Sequence, residues 1–266
     1  MVSMSRCLCL LIVLFGCNYI CSAEPLAGTK RLDWEGDIAS RLIDSADAFL
    51  LKKIEETLAK NELDQPDRAE LARILGVVDK RVAASSHLEV LSKVAESDDF
   101  VVHEIRWEAF GDVYGEGLWL APPNAKESII VIPDADQTPE EIAGFDDKLP
   151  MVYQTAREYA AGGLNVFVPV LINRNLGPHK ISNREYLYRP AFELGRHLIG
   201  YEIQKVLALV DRLGAELVGI HGHGEGGMLA LFSAAIDDRI PKATLSGYSG
   251  PDADLWQEPA ERNVFG

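Results

Sequence analysis

The chain has 266 residues, with 47% hydrophobic and 25% charged positions. That is ordinary globular composition, sufficient for one sizeable core and a single domain, with or without a helical appendage. A formal charge of -15 repels phosphate backbones, so nucleic acid is excluded as a partner.

Residues 1–23 read as a secretory signal peptide. Arg6 supplies the positive start, Cys7 to Cys17 is an apolar run without charge, and Cys21-Ser22-Ala23 is a small-residue cleavage site. An alternative uses Leu14-Phe15-Gly16-Cys17 as a lipoprotein site, with bulky Phe15 against it. The apolar run is too short for a membrane span, so no transmembrane helix is expected after cleavage, and an exported or periplasmic protein is. All four cysteines lie in this segment. The mature chain is therefore expected to lack disulfides, thiolate nucleophiles and cysteine metal ligands.

Ile38, Leu42, Ala46, Phe49, Leu50, Ile54 and Leu58 fall near a 3.6-residue period, which predicts a helix over 33–61. A short helix is expected from Pro66 to Gly76. Residues 24–98 thus read as a helical appendage with no strand. The pattern changes at Phe100. Phe100–Trp107 and Tyr114–Leu120 are β-rich, with Gly111-Asp112 as their hairpin connection. Ser128–Ile132 is a continuous β-branched run, suited to a strand covered on both faces.

Thr138-Pro139-Glu140-Glu141 predicts a capping box. A helix over 151–161 should stop at Gly162-Gly163, and a strand follow over 166–170 with Pro169 near its end. Ser182-Asn183-Arg184-Glu185 predicts a second capping box and one long helix that Pro190 kinks or divides. Then come a strand over 217–220, a helix over 226–236 and a strand over 243–246. Strand and helix alternate from Ser128 onward, which predicts a three-layer, mostly parallel α/β sheet for residues 99–266.

The richest segment is His221-Gly222-His223-Gly224-Glu225-Gly226-Gly227, between a predicted strand and a predicted helix. Two motifs fit it. In the nucleophile elbow G-x-S-x-G, residues Gly222, His223, Gly224, Glu225 and Gly226 fill the five places, and the reactive serine falls on Gly224. In the dinucleotide fingerprint G-x-G-x-x-G, Gly222, Gly224 and Gly227 match. That reading lacks the ribose-binding acid at the end of the next strand, where Ser246-Gly247-Tyr248 stand. Glu225 would also repel a pyrophosphate.

The run Ile220 to Ala230, followed by Ala234-Ala235-Ile236-Asp237-Asp238-Arg239-Ile240 and a strand, resembles the α/β-hydrolase superfamily, in its acetyl xylan esterase and dienelactone hydrolase branch. The arginine-bearing helix of 189–213 fits that branch as well. The resemblance covers roughly 100–250. It implies an α/β-hydrolase-like fold, incomplete at its C-terminal end, with a carbohydrate or carboxylic ester as ligand. It also implies a triad in the order serine, acid, histidine. Gly224 lacks the serine oxygen, and no histidine follows His223. The expectation is an esterase-like protein with impaired catalysis, or a truncated piece of a longer hydrolase.

In that family the loop after the 128–132 strand lies next to the elbow. Here it is Pro133-Asp134-Ala135-Asp136. Asp134, Asp136 and Glu225 could converge, which would oppose an oxyanion and could instead hold a cation or sugar hydroxyls. They could equally be turn-forming and helix-start acids. Among the six histidines, none pairs at the i, i+4 spacing of a zinc site, so no metal and no cofactor are expected. His223 is the one placed near a ligand. Nothing in the sequence specifies an oligomer.

Overall fold

The computed structural model of the chain describes residues 26–29, 35–60, 67–83, 88–145 and 150–248. The expected signal peptide lies outside these residues, as do Pro66, His87 and the chain after Tyr248. Two units are distinguished, 1–61 and 62–266. In the first, helix α1 is Ile38–Ala59. Asp37 starts it by accepting the Ala39 backbone N–H at 2.9 Å, the usual role of a short acid at an N-cap.

The second unit begins with helix α2, Arg68–Ile74, where Asp67 accepts the Ala69 and Glu70 N–H groups. Gly76, at φ +75°, turns the chain away, as expected of a glycine just past a helix. The stretch up to residue 98 is not strand-free, however. Glu89–Glu96 is a strand, β1, paired antiparallel with β2, Val101–Phe110. Its sheet therefore starts ahead of Phe100. Strand β3, Val113–Ala121, returns as the other arm of the predicted hairpin through Gly111-Asp112.

Strand β4 is Ser128–Ile132, and all five residues are buried. Alternation on a strand sends its side chains to opposite faces. Ile130 and Ile132 enter one core cluster; Ile129 and Val131 enter another. After β4 come helix α3, Pro139–Ala143, and helix α4, Thr155–Ala161. The α3 capping box forms in full: Glu141 N–H donates to Thr138 Oγ1, and Thr138 N–H to Glu141 Oε2 at 2.9 Å. The helix expected over 151–161 divides, with Met151–Tyr153 in a single 3₁₀ turn. Strand β5 is Asn165–Pro169.

The long helix expected after Ser182 is two helices, α5, Asn183–Glu193, and α6, Leu198–Leu213. Pro190 stays inside α5. The break comes later, at Gly195, whose φ of +68° no continuing helix can have. The second capping box is half made. Ser182 Oγ accepts the Glu185 N–H at 3.0 Å, but the Glu185 carboxylate pairs with Arg189 instead of returning to Ser182. Strand β6, Leu217–His223, helix α7, Glu225–Ile236, and strand β7, Ala243–Ser246, complete the described chain.

The sheet order is β1-β2-β3-β5-β4-β6-β7. Strands β5, β4, β6 and β7 run parallel, and β1 to β3 form an antiparallel flank. Ile203, Leu207, Val210 and Leu229 of α6 and α7 belong to the cluster with Ile130 and Ile132. Ile142, Ala156 and Ala160 of α3 and α4 belong to the cluster with Ile129 and Val131. This is the predicted three-layer α/β arrangement, and it brings the C-terminal ends of β4 and β6 side by side.

Candidate functional site

The glycine turn stands where the sequence places it, between β6 and α7. Gly224 has φ +55° and ψ -120°, a conformation that costs a residue with a side chain about 1–3 kcal/mol. Its neighbours are fixed by close approach. A Cβ on Gly222 would strike the Gly226 carbonyl, and one on Gly226 the Ile132 carbonyl. The bend is thus an elbow in shape, with no side chain at its apex.

The space over the apex is filled. A Cβ built on Gly224 would overlap Asp134 Oδ2. The same oxygen accepts the Glu225 backbone N–H at 2.9 Å. In a working elbow, the N–H after the nucleophile donates to the oxyanion. Here an internal carboxylate takes that donor and caps α7 from the neighbouring loop. The Asp136 N–H donates to the other oxygen, Asp134 Oδ1, at 3.1 Å.

Asp134, Asp136 and Glu225 do converge, as the sequence suggested, but on arginines. Arg174 lies 3.3 Å from Asp134 Oδ1 and 2.9 Å from Asp136 Oδ2, and its other nitrogen pairs with Glu225 Oε2. Arg184 pairs with Glu225 Oε1 and donates to the Ile172 carbonyl at 2.7 Å. Its side chain is 1% exposed and that of Glu225 4%. Buried charges require such pairing. Glu202 of α6 extends the network, accepting the Ile172 N–H at 2.7 Å and pairing with Lys205 at 2.6 Å. Lys205 in turn donates to the Val170 carbonyl. The loop following β5 is thereby tied to the elbow on one side and to α6 on the other.

Burial pushes the Glu225 carboxyl up to about 7, while Arg184 and Arg174 pull it down. Burial also lowers the Arg184 guanidinium from its ordinary value, against the pull of Glu225 and Glu202. Arg174 and Arg184 were not singled out from the sequence. They lie 51 and 41 residues from Glu225, and the one available hint was that a buried glutamate needs a cation.

His223 sits apart from this network. It is exposed, and its Nδ1 lies 3.0 Å from Ser246 Oγ on β7. His221 is half-buried, with Nδ1 3.1 Å from the Tyr159 hydroxyl. Burial and the nearby His223 lower its pKa from the ordinary value. Among the described residues, no group of three His, Cys, Asp or Glu side chains could hold a metal ion. Among the same residues, no helix is long and apolar enough to cross a membrane. The dinucleotide reading meets the two carboxylates at the start of α7, where a pyrophosphate would have to sit.

No protein-family model matches the chain, and no curated protein matches its sequence. Solved structures do match. One is a protein of Bacteroides fragilis NCTC 9343 assigned as an acetyl xylan esterase. It aligns at a TM-score of 0.54 and 14% identity, over 66% of this chain and 50% of that one. Acetyl xylan esterase 1 of Thermoanaerobacterium sp. JW/SL YS485 aligns at 0.44 and 13% identity, over 71% of this chain and 60% of that one. The chain thus spans about half the length of the first of these. Strand order, the elbow between β6 and α7, and the first of these likenesses agree: the described sheet and its helices have the α/β-hydrolase fold.

Proposed function

We propose that the chain is an exported, esterase-like α/β hydrolase in which serine acyl transfer is lost. One observation carries the reading. The elbow apex is Gly224, which has no oxygen to attack an ester, while the backbone keeps the bend that would present one. The Glu225 N–H, already bonded to Asp134, supports it. An oxyanion donor that is occupied cannot stabilise a developing charge, and losing one such donor costs roughly 10²–10³ in rate. Acetylated carbohydrate or another short carboxylic ester is the ligand class that the fold suggests.

The test is steady-state hydrolysis of p-nitrophenyl acetate by the purified mature chain, with and without a serine-directed fluorophosphonate. The expected result is a rate no higher than that of an unrelated acidic protein at equal concentration. Turnover abolished by the fluorophosphonate would overturn the reading.

The alternative is a carbohydrate- or cation-binding module using Asp134, Asp136 and Glu225. It requires these acids to leave Arg174 and Arg184 when the ligand arrives. Calorimetry with xylo-oligosaccharides and with calcium, on the native chain and on E225Q, tests it. Binding that E225Q weakens would favour this alternative.

A further inference from the structure

The missing serine is one change at the elbow; the position of Asp134 is a second. Asp134 lies on the loop after β4, 91 residues from Glu225 in sequence, and belongs to neither arm of the elbow. Its Oδ2 lies too close to the place of a Cβ on residue 224 for both to stay where they are. Glycine at 224 and aspartate at 134 therefore fit each other as a pair: the carboxylate uses the volume that the absent side chain leaves. The carboxylate is also held from three directions, by the Glu225 N–H, the Asp136 N–H and Arg174.

From this we infer that Asp134 is an internal occupant of the elbow's anion seat, closing it to acyl or carboxylate groups independently of the missing serine. The inference deepens the functional reading above and rests on it for the identity of the seat. It makes the site self-blocked: restoring a hydroxyl at residue 224 would not restore a nucleophile, because serine Cβ and the carboxylate compete for one volume. It also defines what the seat would take if Asp134 were removed, namely a small carboxylate held by the Glu225 N–H and by Arg174.

A double-mutant cycle tests the fit. The folding constants of the native chain, G224S, D134A and D134A/G224S are measured by urea unfolding. The expected result is that G224S lowers the folding constant at least tenfold more in the native background than in D134A. Equal loss in the two backgrounds would overturn the inference.

A second measurement needs only D134A and the native chain. The thermal midpoint is followed as sodium acetate replaces sodium chloride at constant ionic strength. Acetate is expected to raise the midpoint of D134A in a saturable way and to leave the native chain unchanged. The same response from both proteins, or from neither, would overturn the inference. The two claims fail separately. Esterase turnover by the native chain would defeat the loss of acyl transfer, whereas additivity in the cycle would defeat only the role of Asp134.

Discussion

Replacing Arg184 with methionine probes what holds the elbow in place. The Arg184 side chain is 1% exposed and faces a Glu225 carboxylate that is 4% exposed. It also donates to the Ile172 carbonyl at 2.7 Å. R184M leaves Glu225 with Arg174 as its remaining cation and deprives the Ile172 carbonyl of a donor. At pH 8, above the Glu225 value of about 7, breaking a buried pair from one side costs about 3–5 kcal/mol, a large part of the roughly 5–15 kcal/mol that holds a domain together. For a unit of this size, that corresponds to a fall of about 6–20 °C in thermal midpoint, at about 2–4 °C per kcal/mol. The assay is urea unfolding followed by far-UV circular dichroism, with R184M, E225M and R184M/E225M compared. The double variant removes both charges at once and is expected to be more stable than either single one. A loss below about 1 kcal/mol for R184M, the value of an exposed pair, would refute the claim that this network carries the elbow. So would a double variant less stable than both singles.

Three other outcomes follow from the same geometry. Burial raises Glu225 from its ordinary 4.5 to about 7. Its contribution to stability is therefore full below pH 4.5 and declines as pH rises through about 7. Unfolding free energy measured across that window should show this decline in the native chain and lack it in E225Q. His221 is lowered from its ordinary 6.5, so its contribution is full above pH 6.5 and is lost as pH falls below it. H221F should remove that acid-side loss without touching the Glu225 slope, and an unchanged profile would count against the burial of His221 and its closeness to His223 as its cause. Ile132, 1% exposed in the main core, should cost about 2–5 kcal/mol as I132A, read by urea unfolding; a cost below about 1 kcal/mol would mean that this face of β4 is not packed against α6 and α7.

Much of the fold was legible because local chemistry and burial agreed. Ile129–Ile132 has no polar residue to orient it, and Ser128–Ile132 is a strand covered on both faces. Thr138 and Glu141 advertised a capping box that forms in full. The elbow was legible because three glycines in five residues mark a bend that few other structures require. Strand β1 was hidden for a physical reason. It is an edge strand whose side chains are nearly all exposed, and register irregularities fall after Val90 and Lys93. An exposed, irregular edge has no buried face to impose alternation. The α5–α6 break was misplaced because Pro190 was the stronger local marker, whereas the single Gly195 turned the chain.

At the site, sequence reasoning brought Asp134, Asp136 and Glu225 together but could not supply Arg174 and Arg184. Those contacts cross from the β5–α5 connection and from α5 to the start of α7, and no local pattern encodes such a meeting. His223 was expected near a ligand. Alternation along β6 and the nearness of β7 give it Ser246 instead. The position of Asp134 in the volume above Gly224 was equally invisible, since it depends on how two loops from adjacent parallel strands interlock.

The bend at residue 224 presents no attacking group. Peptide mass spectrometry after incubation with excess p-nitrophenyl acetate, restricted to the peptide spanning 217–230, measures this most directly. This peptide is expected to retain its unmodified mass at every time point. An acetyl group on it, appearing in a burst and turning over, would mean that the bend does carry a nucleophile.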